Sequence, residues 1–315
     1  MTEHVVVSVP ADSWARALGP LDGADVVVWD GSAPAPDPAP TLVVPPYVAT
    51  PDLSALPSAT RAVQLLTIGY DGVPEQLPRD VLLCNATGVH ETSTAELAVG
   101  LAVLSLRGLD GDVRAMATGE WKPSRRTSLA DRNVLVLGWG GVGRAVADRL
   151  APFECSVTAV GTRARVQDGV PVHAVEELPD LLPAHDVVVL ACPLTDRTRG
   201  LVGREFLAAL PDGALVVNVA RGPVVDTAAL VAELRAGRLC AALDVTDPEP
   251  LPADHELWSL PGVVVTPHVG GNSTAFRPRM VALLRDQVAR LVAGEELRNV
   301  VSAGGVGNDS ATAAS

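Results

Sequence analysis

The sequence predicts two doubly wound, parallel-sheet α/β domains, and three observations carry that expectation. Short, uninterrupted β-branched runs are separated by connections long enough for a helix, the pattern of parallel strands covered on both faces. The series occurs twice, once before residue 90 and again after residue 130. The length of 315 residues suits about two domains.

In the first series the expected strands are residues 5–9, 26–29, 42–44, 63–66 and 81–84. Ala33-Pro34-Ala35-Pro36-Asp37-Pro38-Ala39-Pro40 is a stiff, donor-poor connector. Residues 90–107 read as a long helix, with Thr92 or Ser93 as cap and Leu97, Leu101 and Leu104 at helical spacing. The second series places strands at 134–137, 157–160, 187–190, 215–219, 241–245 and 263–266, with a helix at 226–236. A last helix is expected at 280–292. No strand series follows residue 270, so this helix is expected to pack on the first domain and make it discontinuous. The expected division is 1–93 plus 271–303 around an inserted 94–270, with 304–315 as a disordered tail.

Composition narrows the function. Hydrophobic residues make up 48% and aromatics only 3%, so the core is aliphatic. A net charge of −13 argues against a nucleic-acid partner, which needs a basic stripe. Arg125-Arg126 with Lys122 reads as a solvated loop. No apolar run approaches the roughly 18 residues of a membrane span. Met1-Thr2-Glu3-His4 lacks the basic start of a secretory signal, so the expected location is cytoplasmic. Cys84, Cys155, Cys192 and Cys240 lie too far apart for a metal or disulfide pattern and are expected as free thiols.

The strand at 134–137 runs directly into Gly138-Trp139-Gly140-Gly141-Val142-Gly143, and a helical pattern follows. A glycine loop between strand and helix is the context for dinucleotide binding. Gly138 permits the turn, Gly140 lets a pyrophosphate approach the backbone, and Gly143 allows close helix–strand packing. For NAD, the next strand should deliver a carboxylate to the ribose. Here it delivers Gly161-Thr162-Arg163-Ala164-Arg165. Thr162, Arg163 and Arg165 can hold a 2′-phosphate, so NADP(H) is expected, with NAD as the alternative. The plainer reading leaves these arginines as surface decoration.

Three more segments stand at strand ends: Asn218-Val219-Ala220-Arg221-Gly222, then Asp244-Val245-Thr246-Asp247-Pro248-Glu249-Pro250, then Thr266-Pro267-His268-Val269-Gly270-Gly271. Ligands of open α/β sheets bind at these ends. With these residues and the Ala191-Cys192-Pro193-Leu194-Thr195 turn, the sequence resembles the D-isomer-specific 2-hydroxyacid dehydrogenases from about residue 60 to 300. The resemblance implies a flavodoxin-like substrate domain with an inserted Rossmann nucleotide-binding domain. It implies Arg221 as anchor for the substrate carboxylate and carbonyl, His268 as general acid and base, and Glu249 as its partner. It further implies Cys192, Pro193, Thr198, Val219, Ala220 and Gly270 around the cofactor, and Asp244 on the nicotinamide carboxamide. Ile68 and Gly69 in the Thr67-Ile68-Gly69-Tyr70-Asp71 loop would share the substrate carboxylate through their amides. Segments 85–89 and 94–96 match the lead into the inter-domain helix, and Tyr47 either faces the cleft or packs.

The implied reaction is hydride transfer between NADP(H) and C2 of a small 2-oxo or 2-hydroxy acid of the glyoxylate or hydroxypyruvate kind. The implied enzyme closes its domains to exclude water and works as a homodimer without a metal. Glu249 stands where formate dehydrogenases of the family carry Gln, which disfavours formate. The chain departs from the family at Thr246 and Asp247, often Phe and Glu, and at Gly161. An ending soon after residue 300 implies that the family's extra regulatory domain is lacking. A dinucleotide-sensing corepressor or scaffold on the same fold is the alternative, against which stand the intact Arg221, Glu249 and His268. A Rossmann methyltransferase leaves those three residues unexplained.

Overall fold

The computed structural model describes residues 4–31, 34–47 and 52–301; the expected tail lies outside the described residues. In chain order the elements are β1 (Val5–Val9), α1 (Asp12–Leu18), β2 (Ala24–Val28), β3 (Leu42–Val43), β4 (Ala62–Gln64) and β5 (Leu82–Cys84). Then come α2 (Glu91–Arg107), α3 (Leu109–Met116), β6 (Asn133–Leu137), α4 (Gly141–Leu150), β7 (Ser156–Gly161), β8 (Arg165–Gln167) and β9 (Val170–Ala174). They are followed by α5 (Leu178–Leu181), β10 (Val187–Leu190), α6 (Arg204–Ala209), β11 (Leu215–Asn218) and α7 (Thr227–Arg235). β12 (Cys240–Leu243), β13 (Val263–Val265) and α8 (Phe276–Ala293) are the last among the described residues. Two compact units result, one of Met1–His90 with the chain from Thr274, the other of Glu91–Ser273.

Among its described residues, the first unit holds a parallel sheet in the order β2-β1-β3-β4-β5, the flavodoxin-like arrangement. Alternation along the strands feeds two cores. Val5, Val7 and Val9 meet Trp14 and Leu18 of α1 and Met280, Leu284, Val288 and Leu291 of α8. On the other face Val43, Val63 and Leu83 pack with Leu53 and Val73. α8 starts at Phe276, before the expected residue 280, and Phe276 sets its ring edge-on to Trp14 at 5.7 Å. Residues 34–40 of the expected connector form neither strand nor helix.

The second unit has the sheet order β13-β12-β11-β10-β6-β7-β9-β8. Successive β6 residues alternate between two cores, Val134 and Val136 toward one and Leu135 and Leu137 toward the other. β6 is the topological switch point, pairing with β10 on one side and β7 on the other. Two expectations need correction. α2 begins at Glu91, so Thr92 and Ser93 lie in its first turn rather than at its cap; Ser93 Oγ instead meets Ser273 Oγ at 2.6 Å. The sheet is also not wholly parallel, since β8 pairs antiparallel with β9. The hairpin turns at Asp168 and Gly169, with φ of 51° and 79°, and such double-positive turns favour the Asp-Gly pair present here.

Among the described residues, no helix is long and apolar enough to cross a membrane. All four cysteines are free, Cys84 and Cys192 being buried.

Candidate active site

The glycine loop leaves the end of β6 at the switch point. Gly138 has φ of 106°, a left-handed conformation that strains any residue with a side chain. A Cβ there would sit 2.5 Å from the backbone nitrogen of Cys192. At Gly143 a Cβ would lie 1.9 Å from the Gly138 carbonyl oxygen, which fixes how closely α4 approaches the loop. Gly140 caps α4, and a Cβ on it would meet nothing within 4 Å. Close approach at two glycines and open space at the third, before a helix N-terminus, is what a pyrophosphate requires. The loop therefore fits a dinucleotide. Gly141 backs onto Glu91, and the Trp139 side chain turns into the aliphatic core under α2, leaving only its backbone for a ligand. Val142 packs partly against that core.

Gly161 ends β7 and is buried, while Thr162, Arg163 and Arg165 are exposed around it. After β10, Thr198 Oγ1 donates to the Pro193 carbonyl at 2.7 Å and accepts from the Thr195 amide at 2.8 Å, which closes the turn around Cys192. Burial pushes the Cys192 thiol up to about 11, so the residue is a neutral apolar wall at physiological pH.

The chemistry-bearing residues follow the ends of β11, β12 and β13. Asn218 closes β11, is almost fully buried, and shapes the turn beyond it. Its Oδ1 accepts from the Ala220 amide at 3.0 Å and its Nδ2 donates to the Arg221 carbonyl at 3.1 Å. Arg221 Nη1 in turn donates to the Ala220 carbonyl at 2.8 Å. Gly222 touches the next loop so closely that a Cβ would lie 1.9 Å from the Thr246 carbonyl oxygen. Thr227 Oγ1 adds a bond to the Asp247 carbonyl at 2.8 Å. The loops carrying Arg221 and Glu249 are thus packed backbone to backbone.

His268 Nδ1 lies 2.5 Å from Glu249 Oε1, with both side chains partly open to solvent. His268 has φ of 52°, uncommon for a residue with a side chain. The surroundings enforce it. The His268 amide donates to the Asp244 carbonyl at 2.8 Å. The buried Asp244 carboxylate takes Thr266 Oγ1 at 2.6 Å, the Val269 amide at 2.9 Å and the Gly270 amide at 2.8 Å. Three of its roughly four acceptor positions therefore shape the histidine loop, and one stays available to another donor.

In the first unit, Asn85 Nδ2 donates to the Ile68 carbonyl at 2.9 Å and Thr67 Oγ1 to the Gly69 carbonyl at 2.7 Å, which sets the shape of that loop. Tyr47 packs against Phe276 at 5.4 Å between ring centroids yet stays 40% exposed. Lys122 and Arg126 of the basic cluster pair with Glu120 and Asp112. Sequence reading missed the positioning roles of Asn218, Gly222 and Thr266. A polar residue ending an otherwise apolar strand was the available signal for Asn218.

A fold that prepares room for a pyrophosphate in the same unit as a buttressed imidazole is that of a dinucleotide-linked oxidoreductase. The chain belongs to the D-isomer-specific 2-hydroxyacid dehydrogenases: the family model for the NAD binding domain of these enzymes matches residues 99–270. The chain is 32% identical over 246 residues to a glyoxylate reductase of Thermofilum pendens, covering 75% of this chain and 73% of that one. Among solved structures it resembles a family member from Xanthobacter autotrophicus Py2 in complex with NADPH and MES. That pair has a TM-score of 0.80 and 31% identity over 95% of this chain and 98% of the other. An NADPH-dependent glyoxylate/hydroxypyruvate reductase from Sinorhizobium meliloti, in complex with NADP and sulfate, gives a TM-score of 0.79. Its identity is 27%, over 95% of this chain and 98% of that one.

Proposed function

We propose that this protein reduces a small 2-oxo acid of the glyoxylate or hydroxypyruvate kind with NADPH and catalyses the reverse oxidation with NADP. The observation that carries the reading is the His268–Glu249 pair at 2.5 Å. An imidazole held through Nδ1 by a carboxylate keeps Nε2 for proton exchange. In reduction, His268 gives that proton to the oxygen on C2 as the oxygen gains negative charge, and Glu249 holds the ring in place through Nδ1. In oxidation the same nitrogen takes the proton back. Arg221 holds the substrate carboxylate with a planar fork that a lysine lacks, and the Ile68 and Gly69 amides are proposed as further donors to it.

When bound, the dinucleotide supplies or accepts the hydride at C2. The loop from Gly138 to Gly143 would hold its pyrophosphate. Cys192, Pro193, Thr198, Val219, Ala220 and Gly270 would wall its nicotinamide end, with the remaining acceptor position of Asp244 for the carboxamide. Thr162, Arg163 and Arg165 are proposed for the 2′-phosphate, supported by Gly161 standing where an NAD enzyme needs a carboxylate and by the NADP(H) in the two solved relatives. We further propose a homodimer, supported by the run of Leu109, Val113, Met116 and Trp121, the last 93% exposed, and a cytoplasmic location, supported by four unpaired cysteines.

The test is loss of reduced-nicotinamide absorbance with NADPH and NADH, each against glyoxylate, hydroxypyruvate, pyruvate and phenylpyruvate. NADPH with glyoxylate or hydroxypyruvate is expected to be fastest, and His268→Ala to slow it by about 10²–10⁴-fold. Tight cofactor binding with no turnover of any acid would overturn the reading. Sedimentation as a monomer would overturn the dimer.

A further inference from the structure

The hairpin of β8 and β9 returns the chain to the end of β7. β9 pairs with β7 so that Gly161 stands opposite Ala174, and β8 pairs with β9 so that Arg165 stands opposite Val172. The Arg165 side chain consequently lies over Gly161, where a Cβ would be 2.8 Å from Arg165 Nη1 and 3.1 Å from Val172 Cγ1. The place of the missing carboxylate is filled by a guanidinium.

That guanidinium is held. Gln167 shares a strand face with Arg165, two residues along, and its Oε1 accepts from Arg165 Nε at 3.0 Å and Nη2 at 2.8 Å. Nη1 donates to the Arg163 carbonyl at 3.2 Å. Both holding groups are neutral, so Arg165 is oriented with its charge intact. A neighbouring arginine is treated differently: Arg144 Nη1 pairs with the Asp168 carboxylate at 3.1 Å, which cancels its charge locally.

We propose that Gln167 is a positioning residue for cofactor choice: it fixes the Arg165 guanidinium beside Gly161 as an uncancelled cation for the 2′-phosphate of an adenosine ligand. The proposal rests on the NADP(H) reading above and names the residue that makes Arg165, in particular, the anchor. Glutamate at 167 would keep both bonds to Arg165 and add a negative charge. A purely structural role therefore makes Gln167→Glu harmless, whereas the positioning role makes it worse than Gln167→Ala.

Calorimetric titration of the full-length protein with adenosine 2′,5′-bisphosphate and with 5′-AMP separates these cases without relying on turnover. The wild type is expected to prefer the bisphosphate. Gln167→Ala should weaken the bisphosphate by about 10-fold and Gln167→Glu by roughly 100-fold, the range for charge-assisted bonds to one phosphate, with 5′-AMP changing less than about twofold. Wild-type bisphosphate affinity in Gln167→Ala overturns the proposal and leaves NADP(H) dependence standing, and so does wild-type affinity in Gln167→Glu. A wild type that binds both ligands equally overturns the NADP(H) reading itself, and this proposal with it.

Discussion

Gly222→Ala is the substitution that best tests how the site is held together. The added methyl carbon would sit 1.9 Å from the Thr246 carbonyl oxygen and 2.2 Å from the Thr246 carbonyl carbon, where ordinary contact begins at 3.4 Å. The two loops must therefore part by about 1.5 Å, the difference between 3.4 and 1.9 Å, because the clash is with backbone that has no rotamer to yield. Arg221 is the preceding residue, and Glu249 lies three residues beyond Thr246, so the separation is passed to the proposed substrate anchor and to the carboxylate that meets His268. Overpacking of this kind costs about 1–3 kcal/mol, or a fall in melting temperature of roughly 2–10 °C for a chain of this size. A displacement near 1 Å at reacting groups can cost about 100-fold in rate. We expect kcat/KM for 2-oxo acid reduction to fall by about that factor, with dinucleotide affinity nearly unchanged. Gly100→Ala is the control: that glycine is exposed on α2, and a Cβ on it meets nothing within 4 Å. It should be neutral or slightly stabilising. Wild-type kcat/KM in Gly222→Ala would refute the idea that this contact sets the spacing of Arg221 and Glu249.

Asp244→Asn keeps one acceptor oxygen but turns an NH2 group toward a backbone amide it previously bonded. Losing a bond to a charged acceptor costs roughly 1.5–3 kcal/mol, so thermal melting should show a lower midpoint and kcat should drop as the His268 loop relaxes. Gly143→Ala forces the loop away from α4; titration with NADPH should show at least about 100-fold weaker binding. An alkaline limit follows from the buried thiols. Burial pushes Cys84 and Cys192 from the ordinary 9.0 to about 11, with Gln287 pulling Cys84 slightly back. Both stay neutral in the fold while the unfolded chain ionises, so their contribution is complete below about pH 9 and is lost as pH rises through 11. Denaturant midpoints between pH 8.5 and 11.5 should fall less steeply in Cys192→Ala than in wild type.

Much of this was legible in the sequence because buried parallel strands are written as plain apolar runs. Residues 187–190 coincide with β10, and the other expected strands shift by at most two residues at an end, while β8 and β9 were not expected. What escaped had little hydrophobic signature. α1 spans seven residues with only Trp14 and Leu18 buried, too short for a helical period to emerge. α3 buries none of its residues, so no core-facing stripe marks it. The β8–β9 hairpin was not predicted: Pro171 weakens its run, and the one signal that could have found it is the Asp168-Gly169 turn between two β-prone triplets. The segments carrying Arg221, Glu249 and His268 stood out because each lies beyond a strand end, and the roles proposed for the three residues came from the family resemblance. Their fastening was not legible, since the approach of Gly222 to Thr246 and the three donors gathered by Asp244 depend on where separate loops meet.

The left-handed backbone at His268 bears on how this protein can change. An imidazole is kept in a conformation suited to glycine, asparagine or aspartate, at a cost of order 1 kcal/mol or more to the fold. Resistance to heat and turnover therefore pull in opposite directions at this codon. A library randomised at position 268 and sorted for thermal resistance alone should enrich those three residues and discard the histidine. Sorted for turnover, the same library should restore it, and the fold would go on carrying the strain.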